Sequence, residues 1–72
     1  MISTEEIRFA IFNGEIIEDY PENARGHSCL ILGWKDRPVH VICAPKDDYL
    51  TIITAYLPSL KKWKADYKIR KG

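Results

Sequence analysis

Arg37-Pro38-Val39-His40-Val41-Ile42-Cys43-Ala44 is the stretch whose reading decides the fold. Its β-branched, mostly apolar run predicts the central strand of a small antiparallel sheet, with His40 standing where the pattern asks for an apolar residue. Upstream, His27–Trp34 is a second β-rich run. Lys35–Asp36 between the two has the length of a tight hairpin, although a two-residue primed turn without glycine is strained. With Trp34 opposite Arg37, alternation puts Leu30, Leu32, Trp34, Val39, Val41 and Cys43 on one face. His27, Cys29, Ile31, His40, Ile42 and Ala44 fall on the other. The first face suits a packed helix; the second is where chemistry can sit.

Working toward the N-terminus, the spacing predicts a helix over Ser3–Asn13. Ser3 and Glu6 stand at capping-box distance, and Ile2 and Ile7 can close as a hydrophobic staple. Glu5 and Glu6 suit the positive end of the helix dipole. Ile7, Ala10, Ile11 and Gly14 form one stripe, with Gly14 as the stop. Glu15–Tyr20 reads as an edge strand, its acids discouraging pairing with another chain. Pro21–Gly26 reads as a loop.

Working toward the C-terminus, Pro45–Tyr49 is a polar turn into a fourth strand, Leu50–Tyr56, apolar on both parities as if covered on both sides. One short helix covers one face only. The second cover must come from the C-terminal segment, another subunit or a partner. After Pro58, Leu60, Trp63 and Tyr67 recur at helical spacing with lysines between, which predicts a short basic amphipathic helix from Ser59. The fold class expected is α+β: an N-terminal helix on a roughly four-stranded antiparallel sheet, in one domain over residues 1–72.

The 72 residues are 46% hydrophobic and 29% charged, as in a small globular domain. No run approaches the length of a membrane helix. No basic region precedes an apolar stretch at the N-terminus, so no signal peptide is expected, and two cysteines are too few for a disulfide scaffold. A cytoplasmic setting is the expectation. The net charge of +1 conceals a division: residues 1–56 hold five basic and nine acidic side chains, net −4, whereas residues 57–72 hold six basic side chains against Asp66, net +5. A basic tail on an acidic body points to an anionic partner, RNA among them, or to a solvated face.

Five motifs follow one another in order: Ile2-Ser3-Thr4-Glu5-Glu6-Ile7, Asn13-Gly14-Glu15-Ile16-Ile17-Glu18-Asp19-Tyr20-Pro21, Ser28-Cys29-Leu30-Ile31-Leu32-Gly33, Arg37-Pro38-Val39-His40-Val41-Ile42 and Ile53-Thr54-Ala55-Tyr56. Together they resemble the family called domain of unknown function 4258, over nearly the whole chain. The resemblance implies a RelE-like fold, as in the small toxins of toxin–antitoxin pairs, several of which cleave messenger RNA. It also implies an antitoxin protein as partner. Family members often carry a further helix with a histidine and an arginine ahead of the Ile-Ser segment. Here that segment opens the sequence, and reduced activity is expected if the helix contributes to catalysis.

Cleavage of RNA by attack of the 2′-hydroxyl needs a base, an acid and a cation near the phosphate. His40 can fill the first two roles. The assumed register puts His40 near Thr54 with Tyr56 diagonal to it. Tyr56 could then donate to phosphate, and Arg37 or Arg70 could stabilise developing charge. Lys61, Lys64 and Lys68 are candidate contacts to the RNA backbone, and Trp63 and Tyr67 candidates for base stacking. The plain alternatives are a structural histidine bonded to a loop or a threonine, and aromatics that cover the open sheet face. His40 and Cys43 point to opposite faces of one strand, so His27, Cys29, His40 and Cys43 do not make a closed zinc site; no metal and no cofactor is expected. Two functions stand side by side: a metal-independent RNA-cleaving toxin-like enzyme using His40, Tyr56 and Arg70, and a non-catalytic interaction or homodimerisation domain using the open face or edge.

Overall fold

A computed structural model describes residues 1–24 and 26–72; Arg25, within the expected 21–26 loop, lies outside the described residues. Helix α1 (Thr4–Asn13) is followed by strands β1 (Glu15–Tyr20), β2 (Ser28–Trp34), β3 (Pro38–Pro45) and β4 (Leu50–Tyr56). The strands form one antiparallel sheet in the order β1-β2-β3-β4. The class is α+β, as expected.

The capping box forms as read. Ser3 Oγ accepts from the Glu6 amide at 3.1 Å, and Glu6 Oε1 accepts from the Ser3 amide at 3.0 Å. Glu6 also receives Arg37, at 2.7 Å from Nε and 3.1 Å from Nη2, while Arg37 Nη2 donates to the Met1 carbonyl at 2.7 Å. The start of α1 is thereby tied to the start of β3. Arg37 first, then the Ser3 amide, holds the Glu6 carboxyl down to about 2 from its ordinary 4.5. A carboxyl depressed by folding stabilises fully above its unfolded value and loses that contribution as pH falls through the folded one. Wild type is therefore expected to lose more of its urea midpoint between pH 5 and pH 2 than Glu6→Gln does.

The β2–β3 hairpin differs from the expected register by one residue. Trp34 pairs with Pro38, Leu32 with His40 and Cys29 with Cys43, leaving Lys35, Asp36 and Arg37 outside the strands. Without glycine or asparagine, Lys35–Asp36 makes a poor two-residue primed turn, and the chain takes a third residue into the loop. One residue of slip exchanges the faces of a whole strand. Cys29 and Ile31, not Leu30 and Leu32, share the core under α1 with Val39, Val41 and Cys43. Ala10, fully buried, packs there with the half-buried Ile2, Ile7 and Ile11. Gly33 makes this approach possible: a Cβ there would lie 2.4 Å from the Ala10 Cβ and 2.6 Å from its Cα.

The opposite face carries Leu30, Leu32 and His40, all buried, and the C-terminal segment covers part of it. Trp63, 2% exposed, meets the His40 ring edge-on at 4.5 Å, and Tyr67 meets Trp34 at 5.2 Å. The expected cover is thus supplied by Trp63 and Tyr67, while Leu60 stays exposed.

The expected basic helix from Ser59 does not form. The Ser59 carbonyl accepts from the Lys62 and Trp63 amides, closing one turn, and the chain then doubles back so that Trp63 bridges Arg70. Asp66 Oδ1 accepts from the Lys68 amide at 2.9 Å and the Ile69 amide at 3.4 Å, a local alternative to helical bonding. Tyr67 sits at φ 58°, outside any right-handed helix. Lysines 61, 64 and 68 at helical spacing would also repel along such a helix. Among the described residues no helix is long and apolar enough to cross a membrane.

Candidate functional site

Antiparallel pairing sets one row of side chains across the covered face: Glu15, Leu32, His40 and Tyr56. Tyr56 is directly opposite His40, not diagonal to it, and Thr54 pairs with Ile42. His40 is fully buried, with Nε2 2.8 Å from the Tyr67 carbonyl and Nδ1 3.2 Å from the Tyr56 hydroxyl. A carbonyl can only accept, so Nε2 carries the proton and donates to it. Nδ1 is then a lone pair, and Tyr56 O–H donates to it. Burial pushes the His40 pKa below its ordinary 6.5, against the Tyr67 carbonyl and Glu18, which favour the charged ring. The ring is neutral at pH 7 and fixed as one tautomer. Burial likewise raises the Tyr56 hydroxyl, which remains a donor.

Arg70 completes the arrangement from the C-terminal segment. Its Nε and Nη2 grip Glu18 at 2.8 and 3.0 Å, and its guanidinium carbon lies 4.6 Å from the centre of the Trp63 ring. Arg70 lowers the Glu18 pKa, Glu18 raises that of Arg70, and the Tyr20 hydroxyl donates to the same carboxylate. A second pair, Lys68–Glu15 at 3.0 Å, runs alongside. The β1 bulge between Ile16 and Glu18 is what turns both Glu15 and Glu18, three residues apart, toward this face.

Beside these groups opens a cavity of about 410 Å³, lined by Tyr56, Leu57, Pro58, Ser59, Lys62, Trp63 and Arg70. Its polar edge has one phenol, one hydroxyl residue and two cations. His40 stands behind Tyr56 and outside the lining, so it can act on a ligand only through Tyr56. The structure therefore brings His40, Tyr56 and Arg70 together. Arg37 is held on the helix side by Glu6 and Met1. Lys61 and Lys64 are exposed outside the lining, and Lys68 is engaged by Glu15. Trp63 is too buried to stack on a base.

Lys62, Ser59 and Glu18 were not singled out from the sequence. The signal for Glu18 was present: of the three acids on β1, Glu15 and Glu18 and the alternating Lys68 and Arg70 of the tail carry opposite charge at nearly matching spacing. Nothing marks Lys62 among its neighbours until the turn after Pro58 is known.

Cys29 and Cys43, expected on opposite faces, are cross-strand partners with Sγ atoms 3.3 Å apart under α1. The same one-residue slip explains the change. Burial first, then Cys29, pushes the Cys43 thiol up to about 12, so it is a protonated core residue and not a nucleophile. His27 meets Asp19 at 2.5 Å, on an exposed part of β1.

No curated protein and no solved structure matches the chain. A family model described as Domain of unknown function (DUF4258) matches residues 1–57. That span holds α1, the four strands, His40 and Tyr56, and ends before Lys62 and Arg70. Covering well over half of the sequence, the match makes this chain a member of the DUF4258 family.

Proposed function

We propose that the chain is a toxin-like RNA-binding protein of the RelE-like class, acting on RNA without a metal at the cavity between Tyr56, Lys62 and Arg70. The observation that carries this reading is the convergence of Tyr56, backed by His40, with two cations on one cavity. Among the described residues Lys61, Lys62, Lys64 and Lys71 make no ion pair, which leaves the tail with positive charge for the flanking phosphates. An antitoxin that neutralises this face, in a cytoplasmic toxin–antitoxin pair, belongs to the same reading.

In the reaction the RNA 2′-oxygen attacks the adjacent phosphorus as the bond to the 5′-oxygen breaks. The 2′-hydroxyl proton passes to Tyr56 Oη while the Tyr56 proton passes to His40 Nδ1. The imidazolium so formed lies against the Tyr67 carbonyl. Lys62 and Arg70 face the non-bridging oxygens, and water protonates the departing 5′-oxygen. The products are a cyclic phosphate and a free 5′-hydroxyl. The step needs neutral His40, whose pKa lies below 6.5, so the rate is level above that pH and falls on the acid side.

Labelled single-stranded RNA incubated with the protein and a chelator tests the reading. Cleavage by wild type is expected, with Tyr56→Phe slower by about 100-fold, the low end of general acid–base contributions. Lys62→Ala is expected to weaken binding and to reduce its salt dependence by about one phosphate contact. RNA neither bound nor cut defeats the proposal. A second, non-catalytic reading is favoured by one fact: both His40 ring nitrogens are already engaged in the folded chain. RNA bound but left intact selects it.

A further inference from the structure

Strand β4 is the unguarded edge of the sheet. It reads Leu50-Thr51-Ile52-Ile53-Thr54-Ala55-Tyr56, with no charge, proline or glycine, and β3 is its one neighbour. Leu50, Ile52 and Ile53 are exposed at 36%, 41% and 56%, flanked by exposed Tyr49 and Leu57. Such an edge offers free backbone donors and acceptors to another strand, and proteins normally blunt it with charge. The opposite edge is blunted in that way: β1 carries Glu15, Glu18 and Asp19, with Lys68, Arg70 and His27 laid against them.

The charges at the two ends of β4 identify the occupant. Lys46, Asp47 and Asp48 precede the strand, net −1, and Lys61 and Lys62 follow the turn after it, net +2. All five are exposed, and among the described residues none makes an ion pair. An antiparallel twofold sets the acidic end of one copy beside the basic end of the other, at both ends at once. A parallel arrangement would set like against like. The bulge at Ile53 divides β4 into Leu50–Ile52 and Thr54–Tyr56. A twofold centred there places one run of each copy against the other run of its partner.

We infer that β4 pairs antiparallel with β4 of a second copy about an axis near Ile53, joining two four-stranded sheets into one. The contact is isologous and closes as a dimer. Pairing β4 with β1 would instead propagate, and the acids of β1 oppose it.

The inference shares Lys61 and Lys62 with the RNA reading but does not rest on it, and it is tested without RNA, by sedimentation of the full chain over a range of concentrations. The expected species has twice the 8.4 kDa chain mass. Ile53→Lys places like charges across the axis and is expected to weaken association at least about tenfold, with the far-ultraviolet circular dichroism unchanged. Asp48→Lys and Lys61→Glu, in exposed turns, should each weaken it, and the double variant should recover. The inference is overturned by a wild type that stays monomeric throughout, including one that takes up a strand of another protein instead. A dimer indifferent to both Ile53→Lys and the charge reversals also overturns it.

Discussion

Gly33→Ala is expected to unseat α1 from the sheet. The added Cβ would stand 2.4 Å from the Ala10 Cβ, 2.6 Å from its Cα and 3.1 Å from its amide nitrogen. None of these atoms is the end of a flexible side chain, so relief requires the helix itself to move. Ala10 lies in the middle of α1 and at the centre of the Cys29, Ile31, Val39, Val41 and Cys43 cluster. Any displacement loosens that whole contact. Overpacking of a buried site costs about 1–3 kcal/mol where neighbours can adjust. Here, with backbone as the obstacle, a loss above that range is expected. It would be read as a fall in the urea midpoint with an unchanged slope, while Gly26→Ala, in a loop with nothing within 4 Å of its Cβ, pays only the strain of its positive φ.

The second large effect belongs to His40. His40→Ala removes a fully buried ring, opens a cavity beside Trp63, and leaves the Tyr67 carbonyl and the Tyr56 hydroxyl without their partner. Cavity and unsatisfied polar groups together predict a loss of about 3–5 kcal/mol, enough to unfold a domain of this size. The same residue makes stability depend on pH. Burial lowers the folded His40 pKa, so below 6.5 the unfolded chain takes up the proton more readily. The contribution is complete above 6.5 and is lost as pH falls through the folded value. Denaturant midpoints at pH 7 and pH 5.5 should therefore separate in wild type, and His40→Gln, which cannot titrate, should lose that part of the separation.

Local chemistry was the legible part of this sequence. Ser3 and Glu6 cap α1 where their spacing puts them, because a capping box involves atoms three residues apart. The four strands also fall where β-branched runs and turns put them. Register was not legible, because it turns on whether Lys35–Asp36 closes alone or takes Arg37 with it, a difference of loop geometry. That one residue moved Cys29 beside Cys43, while Tyr56 stands directly opposite His40 because of the separate β3–β4 register, which shifts at the Ile53 bulge. The tail misled for a different reason. Leu60, Trp63 and Tyr67 do have helical spacing, yet Trp63 and Tyr67 are drawn into separate contacts, with His40 and with Trp34, while Asp66 turns the chain between them. Of the candidate site, the His40–Tyr56 pair and Arg70 were readable from residue type and strand position. Lys62 and the Glu18 anchor needed the path of the tail.

The order of strands bears on how the site comes into being. Each strand pairs with its sequence neighbour, so the sheet can grow by successive local hairpins, a topology that folds quickly. Arg70 and Glu18, by contrast, meet across 52 residues of chain. Closing that loop is favourable only after β1 and β2 have paired and the tail has a surface to lie on. The cavity is lined by Tyr56 from β4 and by Lys62, Trp63 and Arg70 from the tail, so it is complete only where the tail lies on the sheet. The buried Trp63 and the Tyr67 carbonyl that holds His40 belong to that same tail, so the segment that completes the site also seals the covered face of the sheet.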